Sequence, residues 1–308
     1  MGRIEYKTRD EIRHMRRAGL IVAQIHAALR EAAVAGVSTG ELDDVCRAVI
    51  ARNGGHSNFL NYHGYPATVC ISVNDIVVHG IPGKQKLCDG DIVSFDCGAW
   101  VSASGKQWHG DAAFTCVVGD PWVDDVTFAA MRGAGKQGSV ADPHAVERGA
   151  VVTRRRELDA VTREALWAAL AAVASSKRLS CVGQAVEDVV ADRALELGWE
   201  AGIIEEFTGH GIGTAMHQEP EVLNYRARGM SPRLKPGMVL AVEPMLTTGG
   251  IDTRTEADDW TVRCSDGSDA AQWEHTIAIL DDGISILTAV DGGVAGLAPY
   301  GVTPVDLD

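Results

Sequence analysis

Two neighbouring segments decide how this chain is read: Asp91-Ile92-Val93-Ser94-Phe95-Asp96-Cys97 and Trp108-His109-Gly110-Asp111-Ala112-Ala113-Phe114-Thr115-Cys116-Val117-Val118. Both are short, rich in β-branched and aromatic residues and bounded by turn formers, so they read as the two strands of a hairpin. Aspartate is depleted inside strands, yet Asp96 and Asp111 each interrupt an apolar run. The pattern recurs at Glu243 within Val239-Leu240-Ala241-Val242-Glu243-Pro244-Met245 and at Glu274 within Gln272-Trp273-Glu274-His275-Thr276-Ile277. A buried carboxylate must pair with a cation, hold a metal or stay protonated, and these four segments contain no Arg or Lys. A cation from outside is the economical partner. With His210 in Gly209-His210-Gly211-Ile212-Gly213, the set becomes two Asp, two Glu and one His, donors suited to hard or borderline divalent ions, and the four negative charges match two of them.

Further strands are expected at Thr68 to Val73, Met238 to Leu246, Trp260 to Cys264 and Ala271 to Leu280. Helices start at Thr8 and Ser38, each followed three residues later by glutamate in the capping-box spacing, and two more run over 158–173 and 182–197. Helix pairs alternate with hairpin strands, so the fold class is α+β with helices on one face of a largely antiparallel sheet. The stretch 123–156 has scattered glycines, many charges and no sustained period, and reads as a weakly ordered surface insertion.

Composition narrows the function. Of 308 residues 46% are hydrophobic and 23% charged, which is ordinary globular usage. The net charge of −14 opposes nucleic acid as a main partner, and no run is long and apolar enough to span a membrane. The seven cysteines are odd in number and lack a CxxC pair, which reads as reduced thiols in a cytoplasmic protein. The N-terminus carries charge throughout and has no apolar h-region of an export signal. Arg3, Lys7, Arg9, Arg13, Arg16 and Arg17 outweigh Glu5, Asp10 and Glu11 there; this reads first as a solvated helix face, and as a ribosome contact if it has a function.

Taken in order, Tyr62-His63-Gly64-Tyr65-Pro66, Val78-His79-Gly80-Ile81-Pro82, the Asp96 and Asp111 pair, Gly209-His210-Gly211-Ile212-Gly213, Val242-Glu243-Pro244-Met245 and Glu274-His275-Thr276 resemble a type I methionine aminopeptidase of the bacterial kind. The resemblance implies the pita-bread fold: two pseudo-symmetric α+β halves, with helices on a curved antiparallel-rich sheet, in a single domain over 1–308. It also implies two divalent ions (Co, Mn, Fe or Zn) on Asp96, Asp111, His210, Glu243 and Glu274, with Asp111 and Glu274 bridging, and an activated hydroxide that releases the initiator methionine before a small second residue. His79 and His217 then hold the scissile amide and the developing oxyanion, and Glu243 shuttles the proton. Tyr62, Tyr65, Cys70 and Trp260 line the methionine pocket, while Met216 stands where bacterial relatives often carry an aromatic residue. Peptide and nascent-chain N-termini are the expected partners, and a monomer is expected.

Two departures are visible. Asp96 and Asp111 are farther apart than in the usual family hairpin, with Ser102 to Lys106 read as an extra loop. The large insertion precedes His210 instead of lying between Glu243 and Glu274, which argues against a type II enzyme. Competing readings are a catalytically silent binding protein and a proline-directed metallopeptidase of the same fold. His275, next to a ligand on a strand, is expected to point away from the metals.

Overall fold

The computed structural model describes residues 3–123, Asp125, Phe128 and 143–307. Both capping boxes form. The Thr8 hydroxyl accepts the Glu11 N–H while the Glu11 carboxylate accepts the Thr8 N–H, opening α1 (Arg9–Ala32); Ser38 and Glu41 open α2 (Thr39–Arg52) in the same way. Each box satisfies N–H groups that a helix start otherwise leaves free, worth about 1 kcal/mol. Ile12, Met15, Ala18, Val22, Ile25 and Leu29 form the buried stripe of α1, which packs on the central hairpin.

That hairpin pairs Ile92–Ala103 with Lys106–Val117. The extra loop expected at Ser102 to Lys106 is not formed, because the ladder runs unbroken to Ala103 opposite Lys106. Only Ser104 and Gly105 turn, at φ of 52° and 75°, the two left-handed residues of a primed turn whose twist matches the strands it joins. The register puts Asp96 opposite Ala113 and Asp111 opposite Gly98, so the two aspartates sit two positions apart on one face. The other face carries Phe95 and Phe114, stacked at 5.0 Å, with the His26 ring of α1 4.8 Å from Phe114.

Cys70–Val73 and His56–Ser57 complete this sheet. The second half is built on a five-stranded sheet ordered Gly283–Ile286, His275–Leu280, Val239–Val242, Gly209–Gly211, Gln218–Val222, and every pairing is antiparallel. The expected strands over 238–246 and 271–280 are each broken in two. The first breaks at Glu243-Pro244 and the second at Trp273-Glu274, and the outer pieces Met245–Thr247 and Ala270–Gln272 pair with each other in a separate sheet. Pro244 has no N–H for a ladder, and the two glutamates sit at the breaks. Ala241 pairs with both His210 and Thr276, so alternation puts Glu243 and Glu274 on the His210 face, where they meet Asp96 and Asp111 of the hairpin.

Two further helices pack together, α3 (Pro143–Ser175) and α4 (Cys181–Leu197). Of the insertion expected at 123–156, residues 124 to 142 lie outside the described residues, Asp125 and Phe128 excepted. Its C-terminal part differs from the expectation, because α3 begins at Pro143 and not at Leu158. Arg155 is bound into the structure: it donates twice to the Asp269 carboxylate at 2.9 Å and once to the Gly90 carbonyl at 2.8 Å, beside Asp91 at 3.7 Å. Charge in the basic N-terminus is also less available than expected. Lys7 is buried, and Arg16 is buried among the carbonyls of Leu287 and Val290.

Arg155 ties α3 to the hairpin base and to the segment leading into Glu274, and both partners are mostly covered. Arg155→Ala should therefore cost about 2–3 kcal/mol, read as a lower urea midpoint at unchanged slope. A loss under about 0.5 kcal/mol would mean that the contact is a solvent-screened surface pair.

Candidate active site

The two halves are joined by backbone at the residues that flank the carboxylates. Glu274 N–H donates to the Ala113 carbonyl at 2.9 Å and the Ala113 N–H returns to the Glu274 carbonyl at 3.3 Å. Ala113 is also the partner of Asp96. The Thr276 hydroxyl donates to the Asp111 carbonyl at 2.7 Å and accepts the Asp111 N–H at 3.1 Å. Two residues along the strands, the Thr115 hydroxyl donates to the Gln272 carbonyl at 2.7 Å, and the Gln272 amide reaches Glu243 Oε2 at 3.3 Å. Asn224 Nδ2 donates to the Glu243 carbonyl at 3.1 Å.

His210 enters from Gly209–Gly211, the strand of the second sheet that lies between Val239–Val242 and Gln218–Val222. Its Nδ1 lies 2.9 Å from the Gly211 carbonyl and so carries the proton, leaving Nε2 as a lone-pair donor 3.6 Å from Glu243 Oε1. Donor atoms of Asp111, His210 and Glu274 lie within 4.8 Å of one another. Asp96 Oδ1, Asp111 Oδ1 and Glu274 Oε1 are buried without a hydrogen-bond partner.

Burial pushes the Asp96 carboxyl up to about 7. Burial, then the charges of the other carboxylates, hold Asp111, Glu243 and Glu274 well above the usual carboxylate range. Burial, then His217, draws His210 down to about 3, so it is a neutral imidazole at physiological pH. Clustered carboxylates with orphaned oxygens and a neutral imidazole of fixed tautomer are what divalent cations require, and the residues fit such a centre.

Beside these donors is a cavity of about 80 Å³. Its apolar wall is Phe59, Tyr62, Tyr65, Cys70, Met216 and Trp260; its polar side is His79, His217 and the carboxylates. The Tyr65 ring stands edge-on to Trp260 at 5.1 Å, and its hydroxyl donates to the Gly80 carbonyl at 3.0 Å. His79 adopts a left-handed φ of 60°, and burial, then His217, lowers it to about 4. His217 Nδ1 is hydrogen-bonded to the Tyr62 hydroxyl at 2.7 Å, and its ring lies 4.3 Å from that of His210. A wider groove of about 1150 Å³ leads from His79, His217 and Glu243 to the surface past Phe207 and Tyr225.

All the residues singled out from the sequence thus meet in one place. His275 turns away, with Nδ1 2.8 Å from the Thr288 hydroxyl and its ring 5.1 Å from Trp167 of α3. Phe59, Phe207 and Gln272 were missed by sequence reading. Nothing in a single sequence separates Phe59 or Phe207 from ordinary core aromatics, and Gln272 matters only through its contact with Glu243, which the fold brings about.

Fold and site define a class: pita-bread architecture with a small apolar cavity set against clustered buried carboxylates of the kind that can hold divalent cations. The model of metallopeptidase family M24 matches residues 13–281. The chain is 40% identical over 286 residues to methionine aminopeptidase 1 of Mycobacterium tuberculosis, covering 92% of this chain and 95% of that one. It is 36% identical over 288 residues to methionine aminopeptidase of Escherichia coli K12, covering 92% and 94%. The structure of methionine aminopeptidase from Rickettsia prowazekii superposes with a TM-score of 0.77 at 30% identity, over 93% of this chain and 100% of that one. Prolidase from Pyrococcus furiosus shares the fold alone, at a TM-score of 0.61 and 18% identity over 92% of this chain and 65% of that one. The chain belongs to metallopeptidase family M24, among its methionine aminopeptidases.

The raised carboxyls make a prediction for metal-free protein. Because they bind protons in the native state at pH values where the unfolded chain, with carboxyls near 4, has lost them, stability is retained at low pH and lost as pH rises through about 7. The urea midpoint of chelated protein should fall between pH 5 and pH 8, and Mn(II) or Co(II) at one hundred times its Kd should add about 2.7 kcal/mol. A midpoint that rises over that range without metal would contradict the electrostatic account.

Proposed function

We propose that this chain removes the N-terminal methionine from peptides and nascent proteins whose second residue is small. The observation that carries the proposal is the narrow apolar cavity lying directly against carboxylate oxygens that have no hydrogen-bond partner. Asp96, Asp111, His210, Glu243 and Glu274 would hold two divalent ions. When bound, such ions supply Lewis-acid polarisation of the scissile carbonyl and make water acidic enough to act as a nucleophile near neutral pH.

The chain's own groups do the rest. The methionine thioether lies among Cys70, Met216 and the rings of Phe59, Tyr65 and Trp260, a soft wall suited to a polarizable, unbranched side chain. Being neutral, His79 and His217 donate hydrogen bonds to the scissile amide and to the oxyanion as it forms, without themselves adding charge. Glu243 accepts a proton on the nucleophile side and returns it to the leaving amine, a task eased by the burial and neighbouring charges that raise its affinity for protons. The catalytically silent alternative is disfavoured because the five donors converge. A proline-directed activity has no specific support in this pocket.

One hydrophobic cluster that includes Ile12, Phe95, Leu166, Leu240 and Ile277 supports reading the chain as a single domain. Among the described residues no helix is long and apolar enough to cross a membrane. A cytoplasmic monomer completes the proposal, docking on the anionic ribosome through basic residues such as Arg3, Arg13 and Arg17 that remain exposed.

His79→Ala and His217→Ala should each lower kcat by about 10² to 10⁴ with little change in KM, since these hydrogen bonds strengthen only toward the transition state. Steady-state release of methionine from a Met-Gly-Met peptide measures this; a change confined to KM assigns the histidine to ground-state binding. Chelation should abolish turnover, with Mn, Co or Fe restoring it. Met-Gly peptides should outpace Met-Leu peptides. Equal rates would place the looseness first at Met216.

A further inference from the structure

Residues 3–7 approach α1 as an extended arm, and two of its side chains reach the loop 213–218, which carries Met216 and His217. The Glu5 carboxylate accepts the Thr214 N–H at 3.1 Å, the Thr214 hydroxyl at 2.8 Å and Gln218 Nε2 at 2.8 Å. A single carboxylate thus joins both ends of the loop. The Lys7 side chain, 2% exposed, lies 3.5 Å from that carboxylate and donates through Nζ to Gln218 Oε1 at 3.1 Å and to the Glu5 carbonyl at 3.2 Å. Lys7 is itself anchored, its N–H donating to the Gly237 carbonyl at 2.8 Å. Gly213 lies under the contact: a Cβ there would lie 2.2 Å from Lys7 Cε and 2.3 Å from Glu5 Oε2, so a side chain at this position would displace the ends of both.

Stability alone does not account for a buried ammonium. Burial draws Lys7 down to about 8 against the pull of Glu5, and an apolar side chain of similar size would often serve a fold as well. What the ammonium adds is geometry. The Gln218 amide is held at both its oxygen and its nitrogen, and Gln218 is the residue after His217. The His217 Nδ1 is already committed to the Tyr62 hydroxyl at 2.7 Å, leaving Nε2 as the atom that can meet a substrate. Where that nitrogen stands depends on the loop, and misplacement by an ångström can cost about a hundredfold in rate.

We propose that Glu5 and Lys7 are positioning residues of the aminopeptidase reaction, clamping the loop 213–218 so that His217 and Met216 face the substrate. The proposal rests on the reading of the site given above, so its test includes a readout that does not need turnover.

The metal-loaded wild type is compared with Lys7→Met, Lys7→Arg and Glu5→Gln. In Lys7→Met, amide hydrogen exchange over 213–218 should accelerate about tenfold or more, with exchange in the hairpin 92–117 unchanged. The kcat for Met-Gly-Met should fall about 10- to 100-fold at nearly constant KM and unchanged metal content, with partial rescue by Lys7→Arg. Added to His217→Ala, the same substitution should cost less than about twofold more, because the two act through one group. Unchanged exchange over 213–218, or a kcat loss fully additive with His217→Ala, overturns the clamp. If Lys7→Met fails to fold, Glu5→Gln carries the same readouts. If the wild type releases no methionine the functional reading fails, and loop exchange alone then decides the clamp.

Discussion

Four carboxylates buried within one small volume repel one another, and no lysine or arginine among the described residues forms an ion pair with any of them. Left to itself this cluster must take up protons or come apart. The surrounding structure makes sense as the means of holding it together until cations arrive. Each half contributes two of the carboxylates, and the halves are bonded at Glu274 to Ala113 and at Thr276 to Asp111, next to the charges they control. The destabilising feature and the interface that contains it are the same piece of structure.

The opposite face of the same strands does the stabilising. Phe95 and Phe114 stack against α1, and Trp273 donates to Asp159 of α3 at 2.7 Å, while Glu274, one residue on, faces the cavity. Strand alternation therefore separates an aromatic, helix-covered side from a charged, cation-seeking side within a single sheet thickness. The backbone breaks at Glu243-Pro244 and Trp273-Glu274 fall at the two glutamates, whose carboxylates join the charged side in step with that alternation.

Around this centre the histidines divide by what their second nitrogen touches. His210 has Nδ1 occupied by a backbone carbonyl and offers Nε2 to the cation site; His217 has Nδ1 occupied by Tyr62 and offers Nε2 to the groove. His275 is occupied by Thr288 on the helix side and offers nothing to either. The same residue type thus leaves a ring nitrogen for the carboxylate cluster, leaves one for the groove, or serves the core alone, with environment deciding which. The arm bearing Glu5 and Lys7 extends that control to the loop of His217, which regular secondary structure does not hold.

The two capping-box helix starts, the hairpin strands and the acids that interrupt them were legible in the sequence because each depends on neighbours: a hydroxyl three residues before a glutamate, an alternating apolar run, a charge where a charge is disfavoured. The motifs from Tyr62 to Thr276 carried the family resemblance for a similar reason, since their order along the chain survives any folding. Tertiary structure decided what depends on distant partners. The strand breaks require a second sheet to receive the outer pieces. Ser104-Gly105 is a turn and not a loop tip because the ladder beneath it is continuous. The helical course of 143–156 is secured at Arg155 by Asp269, more than a hundred residues away. Lys7 reads as one more surface charge until Gln218 is brought beside it across 211 positions. Local order is written in neighbouring residues, whereas burial and electrostatic partnership are properties of the folded chain, because the charges that set them come from remote parts of the sequence.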